Sequence, residues 1–125
     1  MRIINGRIIT PQGIIEGHSL VINDGKIIDI VSNNEVPEGE QVIDAHGHYV
    51  APGSIDMHIH GGDTADFTDA TPEAFYRIAR VHAIHGTTSI FATLAASPRN
   101  VIDKCFKTCE EVMKDSKEGA NILGI

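Results

Sequence analysis

Two histidines one residue apart, His58 and His60, carry the clearest chemical signal, within Ser54-Ile55-Asp56-Met57-His58-Ile59-His60-Gly61-Gly62. Residues two apart on a β-strand project to the same side, with Cα atoms ~6–7 Å apart. Imidazoles so held can each turn a nitrogen onto one divalent ion, and imidazole suits zinc, iron, nickel and their neighbours. The same period predicts Asp56 on that side, where a carboxylate behind a ligating histidine orients it. Gly61 and Gly62 lack side chains, so they are expected to let backbone approach a substrate closely. Two histidines merely hydrogen-bonded at a strand end are the plainer alternative; the aspartate before them and the glycines after them favour metal. A hydrolytic metal site takes at least three protein ligands and an open position for water. Asp63, Asp66 and Asp69 follow in a loop, but no spacing singles one out. The pair therefore predicts part of a site, and no catalytic group is assigned within the chain.

The remaining candidates read more plainly. His46-Gly47-His48 repeats the spacing beside a turn in a β-rich stretch and is taken as surface structure. His82 and His85 lie near a helix end, where imidazoles complement the helix dipole. No glutamate stands between them as in a His-Glu-x-x-His zinc motif. Cys105 and Cys109, four apart on one helix face, read as small buried apolar groups.

The elements that position His58 and His60 fall into two parts, residues 1–51 and 52–125. In the first, Ile3-Ile4 and Ile8-Ile9 flank Asn5-Gly6, and a second pair of apolar runs flanks Asn23-Asp24-Gly25; both read as tight hairpins. Residues 32–39 form a polar loop, and Gln41-Val42-Ile43 resumes a strand. Small antiparallel β-structure is the expectation. In the second part, 54–60 reads as a buried strand and 61–69 as a loop. Thr71-Pro72-Glu73 opens a helix with a threonine cap, proline in the first turn and an early acid. Phe75, Ile78, Ala79 and His82 form its stripe, and Gly86 supplies a left-handed end. Residues 87–94 form a strand, Ser97-Pro98 caps a second helix, and Val101, Ile102, Cys105, Phe106, Cys109, Val112 and Met113 are its stripe. Residues 116–119 break it, and 121–125 form a third strand. Strand, helix, strand, helix, strand predicts right-handed crossovers and a parallel α/β sheet, whose carboxyl ends hold the chemistry. The last strand has no helix after it, so the sheet is expected to be cut short and to associate through its apolar edges.

Composition narrows the class of ligand. The 125 residues carry 17 acidic and 10 basic side chains, for a formal charge of −7. That balance opposes a nucleic-acid surface, which needs a basic patch. A mean hydropathy near zero excludes a disordered chain. No apolar run reaches the roughly 18–20 residues of a membrane span, and the first residues lack a signal peptide's apolar core. A cytoplasmic protein is the expectation.

Val50-Ala51-Pro52-Gly53-Ser54-Ile55-Asp56-Met57-His58-Ile59-His60 resembles the signature that opens the first barrel strand in the amidohydrolase superfamily. Gly61-Gly62-Asp63, the stretch from Asp69 to Ala74, and His82-Ala83-Ile84-His85-Gly86-Thr87-Thr88-Ser89 narrow the resemblance to the N-acetylglucosamine-6-phosphate deacetylase family. The resemblance implies a (β/α)8 TIM barrel joined to a β-sandwich to which later strands contribute. It implies hydrolysis of GlcNAc-6-phosphate to glucosamine-6-phosphate and acetate. It also implies one or two divalent ions (Zn, Fe, Co, Mn or Ni), with His58 and His60 holding the second, and an oligomer such as a dimer. In that family the strand matching 121–125 runs into a His-Leu-Glu-Gly-Pro motif, so the chain is expected to be an N-terminal portion, inactive alone. Ala92 stands where the family commonly has proline, while Thr93 is retained. A dihydroorotase-like cyclic amidase and an inert, self-associating fragment are the alternatives.

Overall fold

Asn5-Gly6 does not close a hairpin. In the computed structural model, which describes residues 1–33, 37–115 and 119–125, β1 (Arg2–Ile4) and β2 (Arg7–Thr10) part at this corner and enter different sheets. Asn5 takes φ 55°, and its side-chain amide donates to Asp44 Oδ2 at 3.0 Å. A Cβ on Gly6 would lie 2.5 Å from Val50 Cγ2, so the corner is packed from both sides. The Asn-Gly pair supplies the left-handed residue expected of it, but side-chain packing directs the chain onward rather than back.

The hairpin after β2 has another source. Thr10 pairs with Gly13 to bring β3 (Gly13–Ile15) antiparallel to β2, a strand that the sequence patterning did not separate. The second expected hairpin is present: β4 (His18–Asn23) and β5 (Lys26–Ser32) run antiparallel with Asn23 opposite Lys26. Asp24 and Gly25, at φ 48° and 71°, make the two-residue turn whose twist suits flanking strands. The expected polar loop at 32–39 falls partly outside the described residues. β6 (Val42–Asp44) and β7 (Tyr49–Val50) then pair parallel to β1 and β2. The sheets, ordered β5-β4-β1-β6 and β3-β2-β7, are therefore mixed rather than antiparallel. Ile8 and Leu20 are buried in this unit, which spans Met1–Pro52, and Ile8, Leu20, Ile30 and Val50 line an apolar cavity of about 230 Å³.

The second unit, Gly53–Ile125, opens on β8 (Ser54–Ile59). The expected loop after it is more ordered: β9 (Gly61–Gly62) and β10 (Ala65–Asp66) form a small hairpin, followed by a single 3-10 turn at Phe67–Asp69. Asp66 Oδ1 accepts the Thr68 N–H at 2.7 Å, and Asp69 Oδ2 accepts the Asp66 N–H at 2.9 Å. This reciprocal capping box satisfies donors that a helical turn otherwise leaves open.

Helix α1 (Pro72–Ala83) starts as its sequence predicts, with Thr71 Oγ1 accepting the Ala74 N–H at 3.3 Å. β11 (Thr87–Ala92), α2 (Arg99–Lys114) and β12 (Asn121–Gly124) follow. The sheet order is β12-β11-β8, all parallel, with a helix in each crossover. The cap expected at Ser97 is absent. Pro98 occupies the position, and its carbonyl takes the Val101 and Ile102 N–H groups. The break at 116–119 lies mostly outside the described residues.

One core joins these elements. Phe75, Ile78 and Ala79 of α1 and Cys109 and Val112 of α2 pack with Ile59, Ile90 and Ala92 of the strands. Phe67 meets Phe75 edge-on at 4.8 Å between centroids, a favoured aromatic geometry. The α2 stripe divides: Cys105, Thr108, Cys109 and Val112 are buried, whereas Phe106 and Met113 stay exposed. Thr108 was no part of the expected stripe; it is buried because its hydroxyl donates to Ala70 O at 3.2 Å. Among the described residues no helix is long and apolar enough to cross a membrane.

Candidate metal-binding strand end

The ladder between β8 and β11 is irregular where the chemistry lies. Asp56 pairs with Ile90 and Ile59 with Ala92, so β8 advances three residues while β11 advances two. An extra residue of this kind is a bulge, common beside functional sites because it redirects side chains. Strict alternation would put Asp56 and Ile59 on opposite faces, yet both register with residues buried in the core. The expected sharing of one face by Asp56, His58 and His60 thus fails for Asp56. Its contact is local instead: Asp56 Oδ1 accepts the His58 backbone N–H at 3.0 Å, a short side-chain-to-backbone link that holds the bulge.

His58 and His60 do come together. Their ring centroids lie 5.3 Å apart, edge to face at 84°, and both residues are solvent-exposed while Ile59 between them is buried. Nitrogens ~2.1 Å from a tetrahedral ion place the two ring centroids about 5 Å apart, so the observed separation fits one shared ion. The donor chemistry fits as well, since two imidazoles suit a borderline divalent metal.

Four hydrogen bonds fix the backbone around the pair. Besides Asp56, Thr93 contributes two: its Oγ1 accepts the Ile59 N–H at 3.2 Å, and its own N–H donates to Ile59 O at 2.9 Å. The Phe67 N–H donates to His60 O at 3.0 Å. One residue further, His82 Nε2 donates to Gly61 O at 3.3 Å. The stripe assigned His82 to packing, and it serves there by bonding the loop. Thr93, read as part of the strand 87–94 and noted only as retained, lies just after β11, and its bonds to Ile59 are long-range contacts that no local motif shows.

Gly61 and Gly62 are also required by packing. A Cβ on Gly61 would lie 2.2 Å from Ala65 O, and one on Gly62 would lie 2.9 Å from His82 Nε2 and Val81 Cγ1. Their missing side chains leave room for the β9–β10 hairpin and for α1. Asp66 and Asp69 give oxygens to the capping box, and Asp63 sits in the hairpin turn at φ 49°. Among the described residues no three of His, Cys, Asp and Glu gather as a metal cluster. Burial pushes the Cys105 and Cys109 thiols above the ordinary range, which disfavours the thiolate a metal would need.

Asp44, His46 and His48 repeat the spacing of Asp56, His58 and His60, so the motif alone does not separate the two sets. Their backbone does. His46 lies in a turn at φ 48°, with Asp44 Oδ1 accepting its N–H at 2.8 Å, and His48 Nδ1 donates to Ala45 O at 2.9 Å. That donation occupies one ring nitrogen of His48.

Residues 2–50 match the family model described as NagA composite domain. Across most of its length the chain is similar to deacetylases of phosphorylated amino sugars. An N-acetylglucosamine-6-phosphate deacetylase of Lysinibacillus sphaericus is 28% identical over 121 residues, covering 97% of this chain and 31% of that protein. An N-acetylgalactosamine-6-phosphate deacetylase of Escherichia coli O157:H7 is 29% identical over 118 residues, covering 94% and 30%. The crystal structure of N-acetylglucosamine-6-phosphate deacetylase from Pasteurella multocida superposes with a TM-score of 0.87 at 28% identity, covering 95% of this chain and 32% of that one. The chain spans about a third of the length of these relatives. The resemblance read from residues 50–89 therefore holds in sequence and in fold.

Proposed function

We propose that these 125 residues serve as the N-terminal part of a metal-dependent amidohydrolase that removes the acetyl group of GlcNAc-6-phosphate, giving glucosamine-6-phosphate and acetate. Residues 1–51 would contribute to a β-sandwich, and 52–125 would form the first strand–helix units of a (β/α)8 barrel. The parallel order β12-β11-β8 with helical crossovers supports this placement, as does the apolar cavity within the first unit. Exposed apolar residues such as Met57, at 74%, and Phe106, at 47%, support association with further protein surface.

The observation that carries the reading is the His58–His60 pair, 5.3 Å between rings at the carboxyl end of a parallel strand. These two side chains would hold a divalent ion, with Zn, Fe, Co, Mn and Ni all within reach of the ligand type. When bound, such an ion supplies Lewis-acid polarisation of an amide carbonyl and lowers the pKa of a coordinated water. The chain's own residues hold the two imidazoles at a set spacing, through Asp56, Thr93 and Phe67.

The test uses the protein encoded by the complete reading frame that contains these residues, with acetate release from GlcNAc-6-phosphate and GalNAc-6-phosphate measured in parallel. The expected result is turnover of GlcNAc-6-phosphate, reduced at least about tenfold in His58→Ala/His60→Ala. Unchanged turnover in the double variant, or release from neither sugar by the metal-loaded protein, would overturn the proposal.

A further inference from the structure

His58 and His60 are mounted on the two peptide groups that flank Ile59, and one residue grips both. The Thr93 hydroxyl accepts the Ile59 N–H at 3.2 Å, which fixes the peptide plane following His58. The Thr93 N–H donates to Ile59 O at 2.9 Å, which fixes the plane preceding His60. Ile59 itself is buried against the helices, so the strand cannot rotate about its own axis without opening the core. Thr93 reaches this position because it directly follows β11, opposite the segment where β8 carries its extra residue. A β-branched side chain also restricts χ1, which keeps the hydroxyl aimed.

We infer that Thr93 is the positioning residue for the His58–His60 pair, clamping the intervening peptide groups so that both imidazoles meet one divalent ion. The inference rests on the metal role proposed for the two histidines and goes beyond it by naming what sets their spacing. Groups behind a ligand commonly change metal affinity by 10–100-fold when removed. Thr93→Val keeps the shape and deletes the oxygen, so Zn²⁺ affinity at the pair should fall about tenfold. Thr93→Ser keeps the oxygen and should stay near the wild-type value.

Zn²⁺ titration of the ¹⁵N-labelled protein encoded by the complete reading frame, followed through imidazole ¹H–¹⁵N signals assigned with His58→Ala and His60→Ala, reads the two rings separately from the other histidines. The expected result has His58 and His60 shifting together with one dissociation constant. That constant should rise about tenfold in Thr93→Val and in Thr93→Ala, and be restored in Thr93→Ser. Equal affinity in wild type and Thr93→Val overturns the positioning role while leaving the metal role standing. Equal weakening in all three variants overturns it too, since packing rather than the hydroxyl would then be responsible. No response of either ring in wild type overturns both readings. Should the valine and alanine variants not fold, hydrogen exchange at the wild-type Ile59 amide decides. Slow exchange that slows further with zinc supports the clamp, and exchange indifferent to zinc contradicts it.

Discussion

Replacing Gly61 with alanine should destabilise the second unit by about 3 kcal/mol and displace the loop that follows His60. The added Cβ would sit 2.2 Å from Ala65 O, 3.0 Å from Asp66 Cα and 3.1 Å from Ala65 C. All three are backbone atoms of β10, which faces Gly61 and Gly62 across the small hairpin. No side chain can swing aside, so the pair of strands must separate by about 1 Å to reach van der Waals distance. Separation strains the ladder and the bond from the Phe67 N–H to His60 O, each hydrogen bond contributing about 1 kcal/mol. Overpacking adds about 1–3 kcal/mol. Gly86→Ala is the control in the same unit: nothing lies within 4 Å of its Cβ, but φ is +91°, so only left-handed strain applies, at about 1 kcal/mol. Urea unfolding followed by far-UV circular dichroism compares them. With a slope of about 2 kcal/mol per molar, the Gly61 midpoint should fall by about 1.5 M and the Gly86 midpoint by about 0.5 M. A Gly61→Ala midpoint within about 0.2 M of wild type would refute the argument that backbone contact reserves this position for glycine.

Thr71→Ala should lose about 1 kcal/mol because the hydroxyl caps the Ala74 N–H, whereas Ser97→Ala should be neutral, α2 having no side-chain cap; thermal unfolding compares the two. Cys105 and Cys109, buried and with thiols pushed upward, should resist Ellman's reagent at pH 8 and react promptly in denaturant. The Asp44 carboxyl, which accepts the His46 N–H and the Asn5 amide, should titrate below the ordinary 3.8 when followed by carboxyl ¹³C NMR. A depressed folded-state value stabilises above the unfolded one and is lost as pH falls through the folded one. Wild type should therefore lose stability relative to Asp44→Asn only as pH drops below about 4.

How far the sequence could be read depended on whether a signal was local. Thr71-Pro72, Asp24-Gly25 and the apolar stripe of α1 act through neighbouring residues, and the structure follows them. Asn5-Gly6 is just as strong a local turn signal, yet Val50, which packs over Gly6, lies far along the chain and sends the strand to another sheet. Period two located His58 and His60 at the end of β8, but it could not foresee a bulge, since that depends on the register of β11. Asp56 was misplaced for that reason. Thr93 shows the same limit from the other side: its two bonds to Ile59 span 34 residues of sequence. Gly61 and Gly62 were legible as positions that need glycine, but the packing that requires it comes from a facing strand and helix that local sequence does not show.

Diffraction at the zinc absorption edge, from crystals grown with Zn²⁺, shows whether His58 and His60 share one divalent ion. The expected result is an anomalous peak ~2.0–2.2 Å from one nitrogen of each ring, with the ring centroids near 5.3 Å. A fully occupied zinc held elsewhere, with both imidazoles unliganded, would contradict it.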